Sequence, residues 1–143
     1  MKAKEYLQQL QRLDTVINQK IKELDGLRAA LFNIGSIDYS KERVQSSPSG
    51  GAPFVSLTGR ILDLEAEIDR EIDCFVNKKH QIINQIQGLS NATHIQVLFK
   101  RYVEFKRLEV VAVEMGYTYG YIKHLHGYAL QDFEGKILKD DTQ

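Results

Sequence analysis

The run Arg101–Leu130, RYVEFKRLEVVAVEMGYTYGYIKHLHGYAL, decides how the rest of this 143-residue chain is read. Within it Leu108, Val111, Ala112 and Met115 recur at the i, i+3, i+4, i+7 spacing of one apolar helix face. Gly116 follows the last of them, and a glycine there accepts the left-handed backbone that ends a helix at no steric cost. Thr118 is placed to cap a second helix, because its hydroxyl can accept from a free amide of the first turn. That helix buries Ile122, Leu125, Ala129 and Phe133, a single stripe with spacings of 3, 4 and 4. Two short helices joined by a tight glycine turn predict a helix-turn-helix with Tyr119, Gly120, Tyr121, Lys123 and His124 facing outward. In such a unit the outward residues at the start of the second helix enter the DNA major groove.

Upstream, Ser90 or Asn91 caps an expected helix over Ala92–Val103, whose Ile95, Leu98, Phe99 and Tyr102 supply a third wall for this small core. Residues 90–138 are therefore read as one domain, followed by a polar, frayed tail over 139–143. Before it, 57–89 repeats Leu57, Ile61, Leu64, Ile68, Ile72, Phe75, Ile82, Ile86 and Leu89 in steps of 3 and 4, except across Lys79. Over 1–32, Leu10, Ile17, Leu24 and Leu31 fall seven apart, with Tyr6, Leu13 and Leu27 at the complementary position and Lys20 interrupting it. A helix of about 30 residues is roughly 45 Å long, and its apolar stripe needs a partner. Folding the two helices together as an antiparallel, coiled-coil-like hairpin satisfies both stripes; pairing between two chains, a homo-oligomer, buries the same residues. The connection over 33–56 has linker chemistry: Asn33–Pro53 holds three of the ten glycines, both prolines and five serines, so mobility is expected. The predicted fold class is all-α, a long hairpin followed by a compact helix-turn-helix.

Composition narrows the function classes. Charged residues make up 27% of the chain and divide into 19 basic and 19 acidic, so no global field draws it to nucleic acid or to an anionic membrane. From 92 to 143 the balance is again even, seven against seven, which predicts weak backbone attraction and local DNA contact. Cys74 is the one cysteine, and the chain has no run approaching the roughly 20 apolar residues of a membrane span; a cytoplasmic location is expected.

The run Leu98–Leu138 resembles the DNA-binding region 4 of sigma-70-type RNA polymerase sigma factors. The whole chain is similar to short sigma-like proteins of phages and prophages of Gram-positive bacteria. The matching residues are Arg101-Tyr102, Ala112, Met115-Gly116-Tyr117-Thr118, Ile122-Lys123-His124-Leu125-His126 and Ala129-Leu130. The resemblance implies a transcriptional regulator that binds double-stranded DNA and contacts RNA polymerase. Thr118 takes the position of the family's capping Ser or Thr, and Tyr119, Gly120, Tyr121, Lys123 and His124 fall where it meets the promoter. Sigma factors usually carry Arg and Glu or Arg where Tyr119, Gly120 and Tyr121 stand, and Ser or Thr where Arg107 stands. No segment resembles the region that melts promoters, so a complete sigma factor is not implied.

The expected DNA-binding residues are thus Thr118, Tyr119, Gly120, Tyr121, Lys123 and His124, with Lys123 and His124 foremost. Arg101, Lys106 and Arg107 are candidates for phosphates, Arg101 being equally suited to tying helices together. His124 and His126 diverge on a helix and lack a cysteine nearby, so neither a metal nor another cofactor is expected. The acids Asp63, Glu65, Glu67, Asp69, Glu71 and Asp73 lie two apart, hence about 200° apart around a helix, and read as a solvated face. No nucleophile, phosphate loop or paired-cysteine motif points to an enzyme. Two other function classes stay open: a DNA-packaging adaptor of the small-terminase kind, and a protein-interaction module without DNA binding.

Overall fold

The computed structural model describes residues 2–35 and 52–139. Among them every regular element is helical, and the fold is all-α. The elements are α1 (Ala3–Leu7), α2 (Gln9–Gly35), α3 (Ala52–Gln87), α4 (Ala92–Leu98), α5 (Leu108–Met115) and α6 (Tyr119–Phe133). Wider π turns extend α4 over Phe99–Val103 and α6 over Glu134–Leu138. The chain divides into two compact units, Thr15–Asp73 and Met1–Asp14 with Cys74–Gln143. The division falls inside both long helices, whereas the periodicity suggested a boundary at 89–90.

In the Thr15–Asp73 unit, Leu24 packs with Ile61, Leu64 and Ile68, flanked by Leu27, Leu31 and Leu57. The lysine that interrupts the heptad has its own role. Lys20 Nζ lies 2.6 Å from Glu67 Oε1 and pairs with Glu71 as well, while Arg28 Nη2 reaches Glu65 Oε1 at 2.7 Å. Partner numbers fall on one helix as they rise on the other. Ile72, expected in the seam, is instead 38% exposed. The expected linker is also shorter than its composition suggested: Asn33–Gly35 continue α2, and 52–56 already belong to α3. Pro53 sits in the first turn of α3, where a missing amide hydrogen costs nothing. The remainder of that stretch, 36–51, and the tail from 140 lie outside the described residues.

The other unit has a core drawn from four separate stretches: Ala3, Leu7 and Leu10; Ile82, Ile86 and Leu89; Leu98, Tyr102 and Val103; and Ala129 with Phe133. Ala3 and Leu7 were not read as core from the sequence, yet Leu7, Leu10 and Phe133 have no exposed surface at all. Tyr6 stacks obliquely on Phe133 at 6.0 Å between ring centroids and donates its hydroxyl hydrogen to Gln85 Oε1 at 2.7 Å. Asn91, not Ser90, caps α4: its Oδ1 accepts from Thr93 N at 2.9 Å and His94 N at 3.3 Å. The helix expected through Val103 changes pitch at Phe99. Glu104 N reaches back five residues to Phe99 O at 3.0 Å, and the extra residue in that turn directs both Tyr102 and Val103 into the core.

Two glycines set opposite expectations. Gly116 has φ +74° and open space where a Cβ would stand, so Gly116→Ala strains only the backbone and lowers stability by about 1–2 kcal/mol. Gly120 lies within α6 with equally open space, so Gly120→Ala raises stability by roughly 0.5–1 kcal/mol. Chemical denaturation of the two variants checks the sign of each.

Candidate nucleic-acid interface

The turn between α5 and α6 is closed from both sides. Gly116 N donates to Val113 O at 3.3 Å and Tyr117 N to Ala112 O at 2.9 Å, which satisfies two carbonyls that the end of α5 would otherwise leave bare. Thr118 is extended (φ −70°, ψ 154°), and its Oγ1 accepts from Tyr121 N at 3.2 Å. Beneath the turn Val97, Val111, Ala112, Ile122 and Leu125 form a second apolar cluster, with Leu108 and Met115 packed against it. This cluster clamps α5 and α6 on α4 and leaves the opposite side of α6 to solvent.

On that side Tyr119, Gly120, Tyr121, Lys123 and His124 are all exposed. The side chains are ordered by one another. Lys123 Nζ sits 4.4 Å from the centroid of the Tyr119 ring, and the Tyr117 and Tyr121 rings meet at 4.8 Å, tilted by 55°. From Met115 to Gln131 the sequence contains no Asp or Glu, so this surface is locally cationic within 92–143, whose charges balance at seven against seven. The flank contributed by α5 is apolar, with Val113 82% exposed and Val110 also open.

The three phosphate candidates have different surroundings. Lys106 Nζ is held by Glu104 Oε2 at 2.6 Å and Glu114 Oε1 at 2.7 Å, and the hydrogen bonds it donates, first to Glu104 and then to Glu114, raise its pKa. Arg101 is half-buried, lies over the Tyr102 ring and donates from Nη1 to Lys106 O at 3.4 Å. Arg107 is exposed at the start of α5 and makes no ion pair among the described residues. Lys100 also reaches Glu114, at 3.3 Å.

Two polar contacts behind the interface are absent from the sequence reading, since neither follows a helical period. His94 Nδ1 and Asp132 Oδ2 approach to 2.8 Å, and Lys136 adds contacts of 3.2 Å to Asp132 Oδ1 and 2.7 Å to Ser90 Oγ. The His94 contact, then Lys136, holds the Asp132 carboxyl below its usual range. Deeper in the unit the Tyr102 hydroxyl and His126 Nε2 share a hydrogen bond of 2.7 Å, with the rings stacked at 5.6 Å. Burial pushes the Tyr102 hydroxyl up to about 12 and the His126 imidazolium down to about 4, Arg101 and Lys4 adding to the latter. Both shifts keep the two partners neutral, so the hydrogen bond joins an uncharged pair. The placement of His126 toward the buried side agrees with its position one residue after Leu125.

Among the described residues no group of three or more His, Cys, Asp or Glu side chains is arranged to hold a metal ion, and no helix is long and apolar enough to cross a membrane. No family model, curated protein or solved structure matches the chain.

The depressed His126 value has a direct consequence. As pH falls from about 6.5 toward about 4 the unfolded chain takes up a proton that the folded chain refuses, so stability declines across that window. Asp132, whose folded value is lowered, adds its own loss below the ordinary carboxylate range. Thermal unfolding followed against pH should show the first limb flattened in His126→Gln, which has no proton to gain, and the second flattened in Asp132→Asn.

Proposed function

We propose that this chain is a sequence-specific, DNA-binding transcriptional regulator of the sigma-like kind carried by phages and prophages. It presents α5 and α6 as a helix-turn-helix, with the first turns of α6 entering the major groove. The observation that carries this reading is the exposed face Tyr119, Gly120, Tyr121, Lys123 and His124, held by a capped turn in a stretch without a carboxylate. Lys123 and His124 approach base edges, and Arg107 is the phosphate candidate whose charge is unengaged. Because Lys106 and Lys100 are engaged by Glu114, attraction to the phosphate backbone is modest and base contacts carry a large share of affinity.

Self-association belongs to the same reading. Phe32, Val55 and Leu62 of the Thr15–Asp73 unit are 76%, 68% and 60% exposed, apolar surface that a second copy would cover. Joining two weak heads multiplies their binding through effective concentration. The open Val110 and Val113 favour a protein partner beside the DNA, and RNA polymerase is the partner that the sigma-like resemblance implies.

Fluorescence anisotropy with the DNA flanking the coding sequence and with scrambled duplex, across salt, tests the proposal. The native sequence should bind tighter, and Lys123→Ala with His124→Ala should lower affinity at least tenfold. Glu114→Gln, which releases Lys100 while Lys106 keeps its pair with Glu104, should strengthen binding to both duplexes and steepen the salt dependence by about one phosphate contact, a slope change near 0.9. Absence of binding to either duplex by folded protein would sink the reading in favour of a protein-interaction module.

A further inference from the structure

We propose that the exposed face of α6 recognises thymine through its C5 methyl group, with the rings of Tyr119 and Tyr121 as the receiving surfaces. This rests on the DNA-binding reading above and names what that site reads.

The chemistry of the face is unusual for a base-reading surface. Between Thr118 and His124 there is no Arg, Asn or Gln, and Lys123 is the one side chain there of a type that pairs bidentately with a base edge. The Thr118 hydroxyl already accepts the Tyr121 amide, and the Lys123 ammonium rests over the Tyr119 ring. What the first turns of α6 offer in quantity is aromatic surface: Tyr119 is 41% and Tyr121 50% exposed. On the major-groove edges of the four unmodified bases the thymine methyl is the one apolar group. An aromatic reader therefore has a single matching partner.

The rings are also prepared for that contact. Tyr121 leans on Tyr117 at 4.8 Å and Tyr119 is covered on one face by Lys123 at 4.4 Å, so each has lost rotamer freedom before any DNA arrives. Between them stands Gly120. Its φ is not in the left-handed region, and a Cβ there would meet nothing within 4 Å, so the fold of this chain gives no reason for a residue that weakens a helix. With no side chain at Gly120, a base edge can come close to the backbone of the first turn of α6. The absence of Asp and Glu from Met115 to Gln131 keeps phosphates from being repelled as it does so.

The test starts from random-sequence duplexes. Those enriched by the full-length protein are resynthesised with deoxyuridine replacing thymine one position at a time, which removes a methyl and leaves the hydrogen-bonding edge intact. Affinity should fall about fourfold at each contacted thymine, the value of one buried methyl-sized group, and stay level elsewhere. In Tyr119→Ser and Tyr121→Ser, with circular dichroism unchanged, the thymine–deoxyuridine difference should vanish. Lys123→Ala should weaken both duplexes alike and preserve the difference at the thymine that Tyr121 meets, since Tyr121 is held by Tyr117 and not by Lys123. Gly120→Ala, which stabilises the helix, should nonetheless reduce the preference, because its methyl group keeps the base edge away from the backbone. Equal binding of thymine and deoxyuridine duplexes at every position overturns the inference while leaving DNA binding intact. Failure to enrich any duplex overturns the DNA-binding reading and this inference with it.

Discussion

Burial of Phe133 is the constraint on which the Met1–Asp14 and Cys74–Gln143 unit depends. Its ring closes the end of α6 and has no exposed surface, and its surroundings come from α1, the end of α3, the α4 extension and the preceding turn of α6. Burying a phenylalanine contributes roughly 1.5–3 kcal/mol, a large part of the stability of a small core. Helices of seven and eight residues, the lengths of α4 and α5, are marginal alone and exist because tertiary packing holds them. The N-terminal residues Ala3, Leu7 and Leu10 are therefore structural members of the unit that carries the candidate interface.

From Phe133 the constraint passes along α6. Ala129 and Phe133 belong to the first core, Ile122 and Leu125 to the second, so one stripe on one helix ties both clusters together. Two polar contacts then fix its rotation. The His94–Asp132 pair joins α4 to the far end of α6, and the Tyr102–His126 hydrogen bond joins the α4 extension to its middle. Apolar contacts tolerate sliding, whereas a directional bond to a buried partner holds one register, since leaving either partner unmet costs its desolvation. The outward direction of Tyr119, Tyr121 and Lys123 follows from residues on the inner side.

How much of this could be read from sequence depended on whether the cause was local. The bounds of α5, the left-handed Gly116, the Thr118 cap and the buried stripe of α6 follow from spacing and turn chemistry, and each is found where the pattern places it. Ala3 and Leu7 were missed because a heptad describes Leu10 equally well as a coiled-coil position and as a core residue, and only the fold distinguishes them. The π turn at Phe99–Val103 leaves no compositional mark. Ile72 keeps the step of a seam yet faces solvent, and 52–56 look like linker yet form helix. The neutralisation of Lys106 needs Glu114 one helix away, a pairing that sequence separation does not announce. Of the interface, exposure was legible and electrostatic availability was not.

That last difference bears on the proposed mode of binding. A DNA-binding surface built on unpaired lysine and arginine gains affinity for any duplex, and most of that gain is indifferent to sequence. Here Lys100 and Lys106 face Glu114, and Arg101 caps a carbonyl, so the cations nearest the turn hold the protein together. On the proposed reading this arrangement lowers the background of non-specific binding more than it lowers specific binding, because the aromatic and lysine side chains at the start of α6 are exposed and meet no carboxylate. The ratio of the two affinities determines whether one site is found among many, so a nearly neutral head with ordered aromatic contacts can discriminate well while binding weakly. Strength then has to come from elsewhere, and the uncovered Phe32, Val55 and Leu62 of the other unit offer the surface through which a second head would be recruited.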